Sequence, residues 1–243
     1  MLGFSLAFLI GFTLGILGGG GSILTVPILV YALGMEAKVS IAMSLAIVGL
    51  TSLVGVINHF RAKNVALKVA AMFAPFAMIG TFLGAKLSQF LSGNTQLILF
   101  ALVMMAASFF MIKGRSESEG DEKEIKLPIL ALQGVLVGIV TGIVGVGGGF
   151  LIVPALVLLG GLSMRKAVGT SLLIISLNSF SGFTGYLGLV AIDWPFLLKF
   201  SLFSIGGILV GSQLVPYIPQ RVLKKGFGVF LIFMGIFVLI KNL

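Results

Sequence analysis

An internal repeat constrains this sequence more than any other feature. A shift of 127 residues lays Gly15-Ile16-Leu17-Gly18-Gly19-Gly20-Gly21 on Gly142-Ile143-Val144-Gly145-Val146-Gly147-Gly148, and Val26-Pro27 on Val153-Pro154. Without a gap it also pairs Ser44-Leu45 with Ser171-Leu172, Gly80 with Gly207, and Gly84-Ala85 with Gly211-Ser212. Between positions 15 and 55, 17 of 41 residues match their partners, where an apolar composition would give roughly a tenth by chance. The chain is a tandem duplication. Two copies of an interior glycine loop fit a site built between related halves, the plan of secondary transporters.

Composition identifies the solvent. With 58% hydrophobic and 9% charged residues and a mean hydropathy of +1.22, a soluble domain could not cover its surface with polar groups. The chain reads as a polytopic membrane protein. The absence of cysteine and the presence of one histidine, His59, leave neither a disulfide framework nor a metal cluster, so no metal and no cofactor is expected. The net charge of +9 sits in basic residues at the ends of apolar runs. That is a topology signal, and nucleic acid is not an expected partner. Met1-Leu2-Gly3-Phe4 has no positive n-region, and this opening segment is expected to be retained.

Apolar runs predict spans at 41–58, 69–88 and 96–112, with counterparts at 167–189, 195–218 and 222–240. The charge-dense stretch 114–126 reads as a solvated linker between repeats 1–113 and 127–243. The remaining segments, 2–33 and 129–159, are each broken by glycines. With both arms helical and collinear each would measure about 42 Å, too long for one upright span, and neither arm alone crosses comfortably. A re-entrant hairpin fits, its irregular tip lining a cavity or buried in protein. Three crossings per half then place the halves in opposite orientations.

Charge supports that inversion. With the linker in the cytoplasm and both termini outside, only Lys38, Lys86, Lys199 and Lys241 fall outside. Parallel repeats would also move Arg165, Lys166, Arg221, Lys224 and Lys225 outside, against the positive-inside rule. The expected fold is therefore an all-α polytopic membrane protein of two inverted repeats. Each repeat is a glycine-broken helical hairpin followed by three transmembrane helices.

Glycine costs about 1 kcal/mol relative to alanine inside a helix, so these runs are not filler. They free the backbone and allow a ligand or another helix to come close. Pro27 and Pro154 suit a helix's first turn, which predicts second arms beginning near Thr25 and Ile152. The N–H groups of 20–26 and 147–153 would then face a cavity at the positive end of a helix dipole, a setting for an oxyanion. The competing reading is that the glycines only allow the hairpins to pack closely. The spacings Gly80-xxx-Gly84, Gly207-xxx-Gly211 and Gly134-xxx-Gly138-xxx-Gly142 read as packing seams.

The candidate substrate site comprises Gly18, Gly19, Gly20, Gly21, Ser22, Thr25, Pro27 and Ser44, with Gly145, Gly147, Gly148, Gly149, Pro154, Ser171 and Asn178. Hydroxyls in membrane helices usually satisfy their own backbone, and an amide is harder to bury, so Asn178 ranks above the serines. Thr51, Ser52, Thr170, Ser176, Ser179 and Ser181 are further hydroxyl and polar candidates. Lys86, His59 and Asp193-Trp194 read as interfacial residues. No carboxylate falls mid-span, so a coupling ion, if the chain uses one, needs a group other than a carboxylate. An enzyme is disfavoured, for no nucleophile with a base and no acid pair occurs in the spans. A passive anion channel and a membrane assembly factor stand as alternatives to a carrier.

The paired glycine and Val-Pro segments, the following Ser-Leu, Val190-Ala191-Ile192-Asp193-Trp194 and the Gly-xxx-Gly-Ala/Ser element resemble the sulfite exporter TauE/SafE family. That family is also called the 4-toluene sulfonate uptake permease family, and the resemblance covers the whole chain apart from the linker. It implies an inner-membrane permease for small sulfur-containing anions such as sulfite, sulfonates or sulfoacetate, working in the lipid bilayer. By similarity the family's glycine motifs fall on Gly18 to Gly21 with Pro27, and on Gly145 to Gly149 with Pro154. The first half departs from the Asp-Trp pattern, with Ala66-Leu67 at the matching place.

Overall fold

A computed structural model describes residues 2–113 and 127–242; the linker expected at 114–126 lies outside them. Every regular element among the described residues is helical. The first half contains α1 (Leu2–Leu17), a short turn at Gly18–Gly20, α2 (Ser22–Pro27), α3 (Ala37–Arg61), α4 (Leu67–Leu87) and α5 (Gly93–Lys113). The second contains α6 (Leu127–Val144), α7 (Gly149–Pro154), α8 (Met164–Tyr186), α9 (Trp194–Leu214) and α10 (Gln220–Asn242). Six helices, α3, α4, α5, α8, α9 and α10, are long and apolar enough to cross a membrane.

Burial sorts these six. In their apolar windows α3 and α8 are 78% and 72% buried, against 39% to 44% for the other four. The outer helices turn Phe109, Phe110, Leu202, Phe233 and Ile240 outward, a surface suited to hydrocarbon and not to water.

The central pair runs antiparallel. Leu45 packs over Gly182, Ser176 donates to the Gly49 carbonyl at 3.2 Å, Leu172 packs over Gly55, and His59 meets Gly169. The 127-residue shift carries Gly49 onto Ser176, so that hydrogen bond joins repeat-equivalent positions.

Parallel glycine seams bind each hairpin to the opposite half. On α1 and α9, Phe8 lies against Gly207, Phe12 against Gly211 and Gly15 against Ser212, so residue numbers rise together. On α4 and α6, Phe73 lies against Gly134, Ala77 against Gly138 and Thr81 against Gly142. Here backbones touch directly: a Cβ on Gly15 would stand 2.6 Å from the Ser212 nitrogen, and one on Gly142 2.8 Å from the Ala85 nitrogen. The spacings expected to be packing seams are packing seams. Gly80→Ala and Gly207→Ala are each expected to cost about 1–3 kcal/mol of stability through overpacking, checked by thermal unfolding in detergent. Unchanged melting would remove the seams from the account.

Because Asn58 donates to Ser212 at 2.9 Å and Gly55 meets Ile208, α3 also runs parallel to α9. Hence α1 and α3 point the same way, and the chain reverses twice between Leu17 and Ala37. The arm after the first reversal runs back along α1, with Gly21 against Leu14 and Leu33 against Gly3, and the second reversal, at 33–36, leads into α3. The first needs a break in the helix, and the glycines supply it. By the same reasoning α6, α4 and α8 share one direction, with Ser181 donating to the Met78 carbonyl at 2.8 Å and Gly185 meeting Ala85.

The second arms differ from expectation in one respect. They begin at Ser22 and Gly149, three residues before Thr25 and Ile152, so Pro27 and Pro154 end α2 and α7 instead of opening them. A proline removes a backbone donor and crowds the carbonyl four residues earlier. The chain accommodates this by widening the next turn, Ile28–Ala32 and Ala155–Leu159, into π-helix. Leu33 N–H donates to Ile28 at 3.1 Å and Gly160 N–H to Ala155 at 3.0 Å, each five residues back. The same wide turn occurs at the same place in both halves.

Candidate functional site

The two glycine breaks touch. A Cβ on Gly19 would overlap the backbone of Gly149, and one on Gly149 would overlap that of Gly19. Around this contact the halves exchange equivalent pairs. Gly18 lies against Val168 and Ser171 of α8, while Gly145 lies against Ile41 of α3 and receives Ser44 at its carbonyl. Gly18 maps onto Gly145, and Ser44 onto Ser171. Each break is thus seated on the central helix of the other half.

Left-handed backbone explains part of the glycine usage. Gly18, Gly145, Gly147 and Gly148 have φ of +61°, +72°, +64° and +79°, angles that side-chain-bearing residues rarely adopt. Gly148 also faces Thr141, whose Cγ2 would lie 2.6 Å from an added Cβ. Gly21 is right-handed at φ −68°; it is glycine because a Cβ there would strike the backbone of Leu14.

Helix starts limit the free donors. Leu24 N–H bonds to the Gly21 carbonyl at 3.2 Å, and Leu151 and Ile152 N–H bond to that of Gly148 at 3.0 and 2.9 Å. These N–H groups belong to their helices. The donor stretches expected at 20–26 and 147–153 therefore contract to the breaks and the first residues after them.

Among the buried polar side chains without partners, several lie on α2, α3 and α8, the elements that carry or seat the breaks. Asn178 is fully buried and neither its Oδ1 nor its Nδ2 has a hydrogen-bond partner. Its neighbour Ser179 lies against Gly147, and the hydroxyls of Ser179, Ser52 and Thr25 are also buried and unpartnered. Ser52 and Ser179 are repeat equivalents. Other hydroxyls are engaged: Ser22 with the Gly19 carbonyl at 2.7 Å, Ser171 with Val168 at 2.8 Å, Thr51 with Ile47 at 2.7 Å. Ser22, Ser44 and Ser171 therefore hold backbone, whereas Thr25, Asn178 and Ser179 have unused capacity. Buried orphan groups cost stability and need an explanation.

Three residues singled out as interfacial have specific places. Asp193 caps α9, accepting from Phe196 N–H at 3.0 Å. At the matching turn of the first half, Ala66 N–H donates instead to Thr170 at 2.9 Å. Lys86 extends over the Phe82 ring, 5.9 Å from its centroid. His59, near the end of α3, is buried at 3% exposure against Gly169 of α8, with neither ring nitrogen in hydrogen-bond geometry to any partner.

Gln96, Thr141 and Tyr186 were not singled out in the sequence. Gln96 donates to the Ile143 carbonyl at 2.6 Å and to the Tyr186 hydroxyl at 3.0 Å. Tyr186 lies 3.2 and 3.3 Å from the Gly142 and Ile143 carbonyls. Together they cap the end of α6 just before its break. Tyr186 stands 127 residues after His59, which is the signal the repeat carries for it.

The model of the sulfite exporter TauE/SafE family matches residues 3–238. This chain belongs to the TauE/SafE family. It is a multi-pass membrane transporter of that family, and among the described residues no group of three His, Cys, Asp or Glu side chains is placed to hold a metal. A "Probable membrane transporter protein" of Xylella fastidiosa is 31% identical over 96% of this chain and 92% of its own length. YdhB of Bacillus subtilis, with the same description, is 27% identical over 90% and 91%. MJ0441 of Methanocaldococcus jannaschii is 26% identical over 97% and 95%. No solved structure matches the chain.

Proposed function

We infer that this TauE/SafE chain is a plasma-membrane permease for small sulfur-containing anions of the sulfite, sulfonate or sulfoacetate type. The observation that carries the reading is the meeting of two glycine breaks with Ser179 against one of them, next to Asn178 on α8, while Thr25 lies on the arm that follows the other; the buried polar atoms of all three have no partner. The two hydroxyls and the Asn178 Nδ2 are donors that a ligand with several acceptor oxygens satisfies. The second arms start at the breaks and direct the positive ends of their dipoles there.

The antiparallel α3 and α8, and the chain reversals at the glycines, support inverted repeats with re-entrant hairpins, and the placement of lysines and arginines supports a cytoplasmic linker with both termini outside. All the residues of the candidate substrate site whose burial is described are buried, whereas the further candidate Ser181 is half-buried. Transport therefore needs the breaks to part, toward one side and then the other, which is alternating access.

A substrate panel in proteoliposomes tests this reading, comparing sulfite, thiosulfate, methanesulfonate, sulfate and acetate. Pyramidal and tetrahedral sulfur oxyanions suit divergent donors better than a planar carboxylate, so sulfite or a sulfonate is expected to outcompete acetate. Saturable uptake is expected of a carrier. Preference for carboxylates, or robust uptake of cations, overturns the substrate class, and non-saturating currents indicate a channel. For topology, a cysteine at Ser118 in this cysteine-free chain is expected to resist impermeant thiol reagents in intact cells.

A further inference from the structure

A groove of about 530 Å³ opens between α4 and α8, lined by Pro75, Met78, Ile79, Phe82 and Leu83 of α4 and by Ser181 of α8. The α4 positions recur every three or four residues, which is one face of a helix, and Ile79, Phe82 and Leu83 are 57%, 40% and 47% exposed. Close packing leaves the space. Ser181 donates to the Met78 carbonyl at 2.8 Å, and a Cβ on Gly185 would stand 2.6 Å from the Cβ of Ala85, so on the α8 side a serine is all that fills the groove.

Pro75 lies near the middle of α4 and Lys86 in its last turn. The eleven residues between these positions measure about 16 Å at 1.5 Å per residue, one leaflet of a hydrocarbon core about 30 Å thick. The groove therefore runs from the middle of the bilayer to its edge. It ends at Lys86, whose Nζ lies over the Phe82 ring, 5.9 Å from its centroid. Lys38, at the same end of α4, donates to the Gln89 carbonyl at 3.5 Å, and its repeat equivalent Arg165 donates at 2.9 Å to the carbonyl of Pro216, the equivalent of Gln89. Those two cations fasten the same turn in both halves. Lys86 fastens nothing, and among the described residues no carboxylate pairs with it.

The second copy has Gln213 at the position of Lys86, Leu209 at that of Phe82 and Val54 at that of Ser181. The ammonium, the ring beneath it and the small residue beside the groove thus occur together in one half only, and the shared fold does not demand them. An ammonium at the edge of hydrocarbon is costly unless an anion meets it, and an apolar groove one leaflet deep suits an acyl chain. We propose that this groove holds one chain of an anionic phospholipid whose phosphate pairs with Lys86. A zwitterionic lipid carries its own cation beside the phosphate, so the site selects a headgroup of net negative charge. Nothing in it depends on what the protein transports.

Tryptophan quenching in nanodiscs tests the site, because the chain has a single tryptophan, Trp194. In a Trp194→Phe background, Phe82→Trp puts the sole reporter in the groove wall, and Ile79→Trp, one turn deeper, is a second reporter there. Leu102→Trp, on an exposed position of α5, puts it against ordinary boundary lipid. The full chain is reconstituted in phosphatidylcholine with rising fractions of chain-brominated phosphatidylglycerol, or of phosphatidylcholine brominated on the same chains. In the groove, phosphatidylglycerol is expected to quench at about fivefold lower mole fraction, the preference that one lysine gives beside an anionic headgroup. At position 102 the two lipids are expected to quench alike. Lys86→Gln, the residue of the second copy, is expected to remove the preference in the groove, and Lys86→Arg to keep it. Equal quenching in the groove with Lys86 present, a preference that survives Lys86→Gln, or the same preference at position 102 overturns the site. Relief of groove quenching by added glycerol phosphate would show that Lys86 takes a soluble anion, and overturns the lipid assignment.

Discussion

Asn178→Leu is expected to abolish anion uptake and at the same time to raise the melting temperature of the purified protein. Leucine nearly matches asparagine in shape and removes two buried polar atoms that have no partner in the folded chain. An unsatisfied buried polar group costs about 1–3 kcal/mol, so its removal stabilises. If those atoms exist to meet the substrate, stability and function move in opposite directions, which a purely structural residue does not do. Uptake from proteoliposomes and thermal unfolding in detergent read the two effects separately. Uptake within twofold of wild type would take Asn178 out of the site. Ser179→Ala, one residue on and against Gly147, is expected to act the same way but more weakly.

Valine at Gly19 or Gly149 is expected to leave no folded protein. A Cβ at either position overlaps the other's backbone, and backbone cannot retreat as a side-chain tip can. The cost exceeds the about 1–3 kcal/mol of ordinary overpacking and approaches the whole stability of a marginal fold. Gly226→Ala, where an added Cβ meets nothing within 4 Å, is the matched control and is expected to be neutral or slightly stabilising. Size-exclusion profiles of the detergent extract decide the matter. Monodisperse Gly19→Val protein would show that the breaks can move apart at little cost.

Much of the architecture was legible because the duplication and the apolar runs are properties of sequence alone. The six long helices, the chain reversals at the glycines and the seams at Gly80, Gly138 and Gly207 all follow from period, length and small-residue spacing. The helix starts did not follow. Proline at position 27 reads as a first-turn residue until the π-turn after it is seen, and a wide turn leaves no mark in composition. Gly148 reads as an open approach for substrate, yet its φ of +79° makes any side chain there a backbone fault, so a bulky residue at Gly148 tests folding more than binding. Nor was the burial of His59 legible: it stands beside Asn58 at a charged helix end, and a helix can bury one face within two residues of such an end. Nothing local marks Gln96 either. It acts on Ile143, 47 positions away, and only the folded chain brings them together.

The seams also determine which bodies can rock. Since α1 is fastened to α9 by direct backbone contact, and α9 packs in register on α3, these three helices form one stiff block. The helices α6, α4 and α8 form the other. Each block draws members from both copies of the duplicated sequence, so the packed units of the fold are not its repeats. Under the proposed alternating access, movement along the α3–α8 boundary would carry one broken hairpin with each block, and the contact between Gly19 and Gly149 is the seam that has to open.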